Sequence, residues 1–150
     1  MKPLLPMVVL ASLLLAAKGP EEKKKSDQQK LQGTWTAKSI EYDGEQVLGD
    51  NLKDLQMVIS GNKLTVKGEG QDIEKYAKLT FKIDPATTPK IMDVTVTAGD
   101  EKGTVLEGIY ELKGDELKLC VRIIGKDRPA EFKSMGGSQT ALAVFKRHKP

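Results

Sequence analysis

The chain has 150 residues, with 24 Lys and Arg against 21 Asp and Glu and a formal net charge of +3. That length holds one domain and little else. Charge spread along the whole chain, with aromatics at 5%, excludes the clustered cations and stacking rings of a nucleic-acid binder. A single cysteine, Cys120, excludes an intramolecular disulfide, so the fold must rest on its apolar core.

The chain opens with Lys2 and an apolar run, Leu4–Ala17 (LLPMVVLASLLLAA). It is shorter than the ~20 residues that span a bilayer, and it ends on small residues. It therefore reads as a secretory signal peptide over 1–17, with cleavage expected after Ala17. An uncleaved N-terminal anchor is the alternative. No cysteine follows to accept lipid, so a lipoprotein is not expected. Residues 18–30, which include the charged GPEEKKK (Gly19–Lys25), are read as a flexible linker. Ser26 then starts S-D-Q-Q, a capping-box pattern for one or two helical turns over Asp27–Gln32. Gly33 is placed to end them in a left-handed conformation.

From Thr34 the pattern is strands joined by closely spaced turns. Thr34–Tyr42 is rich in β-formers and ends at Asp43-Gly44. Asp50–Leu55 is expected to make a helical turn, with Leu52 and Leu55 inward. Leu55, Met57 and Ile59 alternate, and Gly61-Asn62 turns the chain into Leu64 and Val66 as a two-residue hairpin. Ala77, Leu79, Phe81 and Ile83 form the next half-buried strand, closed by Asp84-Pro85. Met92, Val94 and Val96 follow, then Leu106, Gly108, Tyr110 and Leu112, then Leu117, Leu119, Val121 and Ile123. Ser138–Lys146 supplies the last strand, with Leu142 and Val144 expected to face inward. The sum is an all-β domain over 31–147, with 148–150 as a tail. Eight antiparallel strands in an up-and-down order can close into a barrel; an open β-sandwich is the alternative.

Five motifs occur in order: LQGTW (Leu31–Trp35), DPATTPK (Asp84–Lys90), GIYEL (Gly108–Leu112), GDELKLC (Gly114–Cys120) and RPAEF (Arg128–Phe132). Together they resemble the small planctomycete-type domain family of unknown function, over about Lys30 to Arg147. The resemblance implies an exported, lipocalin-like β domain and brings no established active site. A looser similarity to lipocalins rests on Gly33-x-Trp35 opening the first strand and on Lys146 or Arg147 in the last one. It implies that Trp35 closes one end of the barrel, with the basic side chain packed across its ring.

Catalytic chemistry finds no foothold, and an enzyme is not expected. The sole histidine, His148, lies in the basic C-terminal tail, so Ser-His and Cys-His schemes lack a positioned base. Cys120 sits between Leu119 and Val121 as an inert strand thiol, although Lys118 and Arg122 share its face. One His and one Cys do not make a zinc site, and no calcium loop or phosphate loop occurs, so no metal or other cofactor is expected. Glu107 and Glu111 share a strand face with Ile109 that reads as a solvated outer surface. Arg128 and Glu131 are expected to pair and fix a loop around Phe132; a ligand-anchoring role is the alternative.

The functional expectation is a non-catalytic module that binds a small ligand or polymer, exported to the periplasm or outside the cell. Trp35, Tyr110, Arg122, Arg128 and Glu131 are its candidate ligand-binding residues, and Leu48–Leu55 its mobile mouth. The alternative is a structural or protein-interaction module with a filled barrel in the cell envelope. The partner is thus an unknown small molecule or an envelope component. Nucleic acid and a stable membrane span after signal cleavage are not expected, and the state is a monomer.

Overall fold

The computed structural model describes residues 25–47, 54–68, 78–125 and 127–149. These contain one helix, α1 (Asp27–Leu31), and nine strands: β1 (Gly33–Tyr42), β2 (Glu45–Val47), β3 (Gln56–Ser60), β4 (Lys63–Lys67), β5 (Lys78–Asp84), β6 (Lys90–Val96), β7 (Val105–Lys113), β8 (Glu116–Arg122) and β9 (Thr140–Arg147). From β3 to β9 each strand pairs antiparallel with the next. β1 closes the ring by pairing with β3 on one edge and β9 on the other. The domain is a closed, eight-stranded up-and-down barrel, and the open sandwich is ruled out by the β1–β9 ladder.

β2 is a ninth strand beyond the eight expected. Asp43-Gly44 does not merely end β1. Both residues take positive φ, 52° and 86°, the backbone of a tight hairpin turn, and return the chain against Ile40–Tyr42. Gly44 is required twice over, because a Cβ there would lie 2.6 Å from the backbone nitrogen of Gly136. The Gly61-Asn62 hairpin forms as expected, with Ser60 opposite Lys63. The proposed helical turn at Asp50 and the start of the strand at Ala77 lie outside the described residues, as does the apolar run Leu4–Ala17.

Alternation assigns the faces. Trp35, Ala37, Met57, Ile59, Leu64, Leu79, Phe81, Met92, Val94, Leu106, Tyr110, Leu117, Leu119 and Phe145 are buried in one core. A bulge between Ala37 and Ser39 shifts the parity of β1, so that Ile40 rather than Ser39 follows Ala37 inward. On β9 the expectation is corrected: Leu142 pairs with Cys120 and Val144 with Lys118, on the outer face. Ala141, Ala143 and Phe145 are the inward residues. Reading size as a guide to burial misplaced this strand by one residue, which inverts every side chain.

α1 covers one end of the barrel. Ser26 and Gln29 satisfy each other's backbone N–H groups in a capping box. Leu31 and Trp35 have no exposed surface, and the Trp35 indole N–H donates to the Leu31 carbonyl at 2.9 Å. Arg147, not Lys146, lies across Trp35, with its guanidinium carbon 4.3 Å from the ring centroid. Two residues beyond inward Phe145 is an inward position, and Lys146 is exposed between Thr36 and Glu116. Arg147 also donates to the carbonyls of Gln32 and Lys30, joining the last strand to the helix.

Candidate functional site

The half of the barrel nearer α1 is filled by Trp35, Tyr110, Met92, Leu117 and Leu31, all with 1% exposure or less. The other half is not filled. There a cavity of about 230 Å³ is lined entirely by apolar residues. Met57, Leu64 and Phe145 bound it toward the packed half, and Leu55, Ile40 and Ile123 toward the far end. Ala141 and Ala143 are what open it: two methyl side chains stand where β9 has room for larger groups. The wall offers no polar group to anchor water, so it favours apolar molecules over hydrated ones.

A larger cleft, about 560 Å³, lies beside α1, but its chemistry is already committed. Lys90 pairs with Asp27 at 2.8 Å, and Arg147 and Lys149 both reach Asp115. The Tyr110 hydroxyl donates to the same Asp27 oxygen at 2.7 Å. Burial pulls the Asp27 carboxyl upward, yet the hydrogen bonds from Lys90 and Tyr110 and the charges of Lys90 and Lys30 outweigh it. The net shift is below the ordinary 3.8. Burial, together with the Asp27 bond, pushes Tyr110 above its ordinary 10.0. The arrangement ties α1 into the barrel and leaves those groups engaged.

Outside the barrel, residues 127–134 run as a strap over the outer face of β6–β8. Arg128 does not pair with Glu131 as expected. Its guanidinium holds both carboxylate oxygens of Asp93, donates to the Gly108 carbonyl at 2.8 Å, and reaches Glu107 at 3.8 Å. Glu131 pairs with Lys133 instead, both largely exposed. The reason is geometric: the strap lies flat on the sheet, so Arg128 meets the strand carboxylates below it. The face of Glu107 and Glu111 is therefore only partly solvated, and Ile109 between them is 1% exposed.

Cys120 is fully buried under this strap, its Sγ 3.4 Å from the Glu131 carbonyl and 3.5 Å from that of Lys133. Burial pushes the thiol pKa up, against smaller opposite effects of the Lys133 backbone and the Arg122 charge. The thiol is thus protonated and covered, as an inert strand cysteine should be. Arg122 lies on the same outer face, with its Nε buried and without a hydrogen-bond partner.

None of the five candidate residues lines the cavity. Trp35 and Tyr110 belong to the packed end, and Arg122, Arg128 and Glu131 to the outer face and strap. Of the suggested mouth, Leu55 does line the cavity; residues 48–53 lie outside the described set. The lining escaped the sequence reading because an aliphatic cavity wall and an aliphatic core share one alternating pattern. The detectable signal was the inward pair Ala141 and Ala143, too small for the layer they occupy. Comparisons with protein-family models, curated protein sequences and solved structures return no match.

Proposed function

We propose that this protein is a non-catalytic, exported binding domain that holds one small apolar molecule in the unfilled half of its barrel. The cavity carries this reading. Side chains around an unfilled space of about 230 Å³ forgo the packing contacts that a filled core would give them. A ligand that fills the space supplies part of those contacts, whereas a purely structural barrel would gain by closing it with larger side chains on β9.

The lining sets the ligand class. With no buried donor or acceptor, a polar group carried into the cavity would lose its water without compensation. The ligand is an aliphatic chain or a small ring, with any polar end outside. An apolar cavity of about 150 Å³ accepts benzene, so by proportion 230 Å³ accommodates about nine carbons. Export rests on the apolar run Leu4–Ala17 and is part of the same reading.

The test is native mass spectrometry of protein purified from its own exported fraction, against the denatured mass. It is paired with thermal unfolding in a series of linear alcohols from butanol to dodecanol. Expected are a mass excess lost on unfolding and a stabilisation that grows with chain length and levels off near nine carbons. A clean apo mass, with no alcohol raising the midpoint, would reject the reading.

A further inference from the structure

We infer that the outer face of β4 and β5 is a docking surface for an extended anionic polysaccharide, separate from the internal cavity. The strands β3, β4 and β5 carry Lys63, Lys67, Lys78 and Lys82 and, as their one carboxylate, Asp84 at the end of β5; Glu69, Asp72 and Glu74 of the β4–β5 connection lie outside the described residues. All four lysines are exposed, and none makes an ion pair within the described residues. Six cations elsewhere are matched to acids, among them Lys90 to Asp27, Lys113 to Glu111, Arg128 to Asp93 and Lys149 to Asp115.

The register arranges these lysines in a line. Lys63 faces Thr80 across the β4–β5 pair, and Thr65 faces Lys78. Lys67 is two residues above Thr65 and Lys82 two below Thr80, so the cations alternate between strands, one at each step. Each step of two residues rises about 6.8 Å, giving a row about 20 Å long. Its flanks are uncharged over most of that length: Gln56, Val58 and Ser60 on β3, and Thr95 on β6. Asp93 faces Lys82, but Arg128 holds its carboxylate. A surface groove of about 450 Å³ runs between Lys63 and Lys78, with the hydroxyls of Thr65, Thr80 and Thr97 along it.

These features select the partner. Four like charges about a Debye length apart repel one another, and a linear polyanion laid along the row relieves that repulsion while releasing its own counterions. The groove offers ammonium groups and hydroxyls, which suit the carboxylates and hydroxyls of an acidic sugar chain. Among the described residues the face carries no aromatic ring on which bases could stack, and no exposed large apolar side chain that would enter a bilayer.

The experiment uses the exported protein and polygalacturonate as probe, followed by isothermal calorimetry at several salt concentrations, with neutral dextran as the blank. Two variants of equal net charge are compared: K63Q/K78Q on the row, and K113Q/K133Q at paired lysines elsewhere. Expected is binding that weakens at least tenfold in K63Q/K78Q, with a shallower salt dependence, and is unchanged in K113Q/K133Q. Ala143→Leu, which narrows the cavity, should also leave it unchanged, so loss of the small-ligand reading does not affect this one. Equal weakening in both double variants would show attraction to net charge alone and overturn the inference. So would anionic vesicles or single-stranded DNA binding where polygalacturonate does not.

Discussion

Replacing Ala143 with Leu should make the protein more stable and at the same time shorten the longest chain it accepts, from about nine carbons to about six. Ala143 lies on β9 between Ile40 and Leu119 and faces the cavity. Leucine adds three carbons, worth ~0.8 kcal/mol each when moved from water into apolar surroundings, about 2.4 kcal/mol together. Fixing its rotamer costs about 0.5–1 kcal/mol, leaving a net gain of about 1.5–2 kcal/mol. For a domain of this size that raises the melting midpoint by roughly 5–8 °C. The sign is diagnostic, because the same change in a filled core overpacks it and costs about 1–3 kcal/mol. Calorimetric melts of the two apo proteins measure the gain. Repeating them in octanol at about 100-fold the parent's dissociation constant should add about 2.7 kcal/mol to the parent and clearly less to the variant, whose remaining space is shorter than the octyl chain. A variant destabilised by 1 kcal/mol or more, and stabilised by octanol as much as the parent, would show that the space is not where the structure puts it.

The strap makes a second claim. Arg128→Met removes the clamp on Asp93 and the Gly108 carbonyl, so Cys120 should react with a thiol reagent at least tenfold faster under native conditions. Lys133→Met, which breaks only an exposed pair, should leave that rate near the parent's. Arg147→Met loses the cation–π contact and the bonds to Gln32 and Lys30. It should cost about 1–3 kcal/mol in urea unfolding and shift Trp35 fluorescence toward that of an exposed indole. Asp27 has a folded pKa below its unfolded value near 3.8, so its contribution is present above that pH and lost as pH falls through the folded value. Asp27→Asn should therefore flatten the acid limb of the stability profile below about pH 4. Tyr110 is shifted the other way, above 10.0. The parent should lose stability above pH 10, where the unfolded chain ionises first, and Tyr110→Phe should remove that loss; an unchanged alkaline limb would contradict the buried hydroxyl.

Much of this architecture was legible in the residues. Period-two alternation and turn chemistry at Gly61-Asn62 and Asp84-Pro85 were enough to count eight barrel strands and their order. S-D-Q-Q placed α1, because a capping box is a contact between residues three apart. The similarity to lipocalins implied Trp35 with a basic partner on β9 as the closure of one end; the choice of Arg147 over Lys146 followed only from the parity of β9. Four of the five motifs turn out to serve scaffolding: LQGTW closes the barrel end, GIYEL supplies Tyr110 and Ile109, GDELKLC makes the β7–β8 hairpin, and RPAEF forms the strap.

What the amino acids determined by themselves is local: which segments are strands, where they turn, and where the short helix begins. Those properties depend on neighbours within a few residues. The tertiary structure alone decided the inner face of β9, the partners of Arg128, the cover over Cys120 and the row of lysines on β4 and β5. Each depends on which strand lies alongside which, and at what register. A filled core and a lined cavity are written with the same alternating aliphatic residues. Only the summed volumes of side chains converging from eight strands show that Ala141 and Ala143 leave one half of the barrel open.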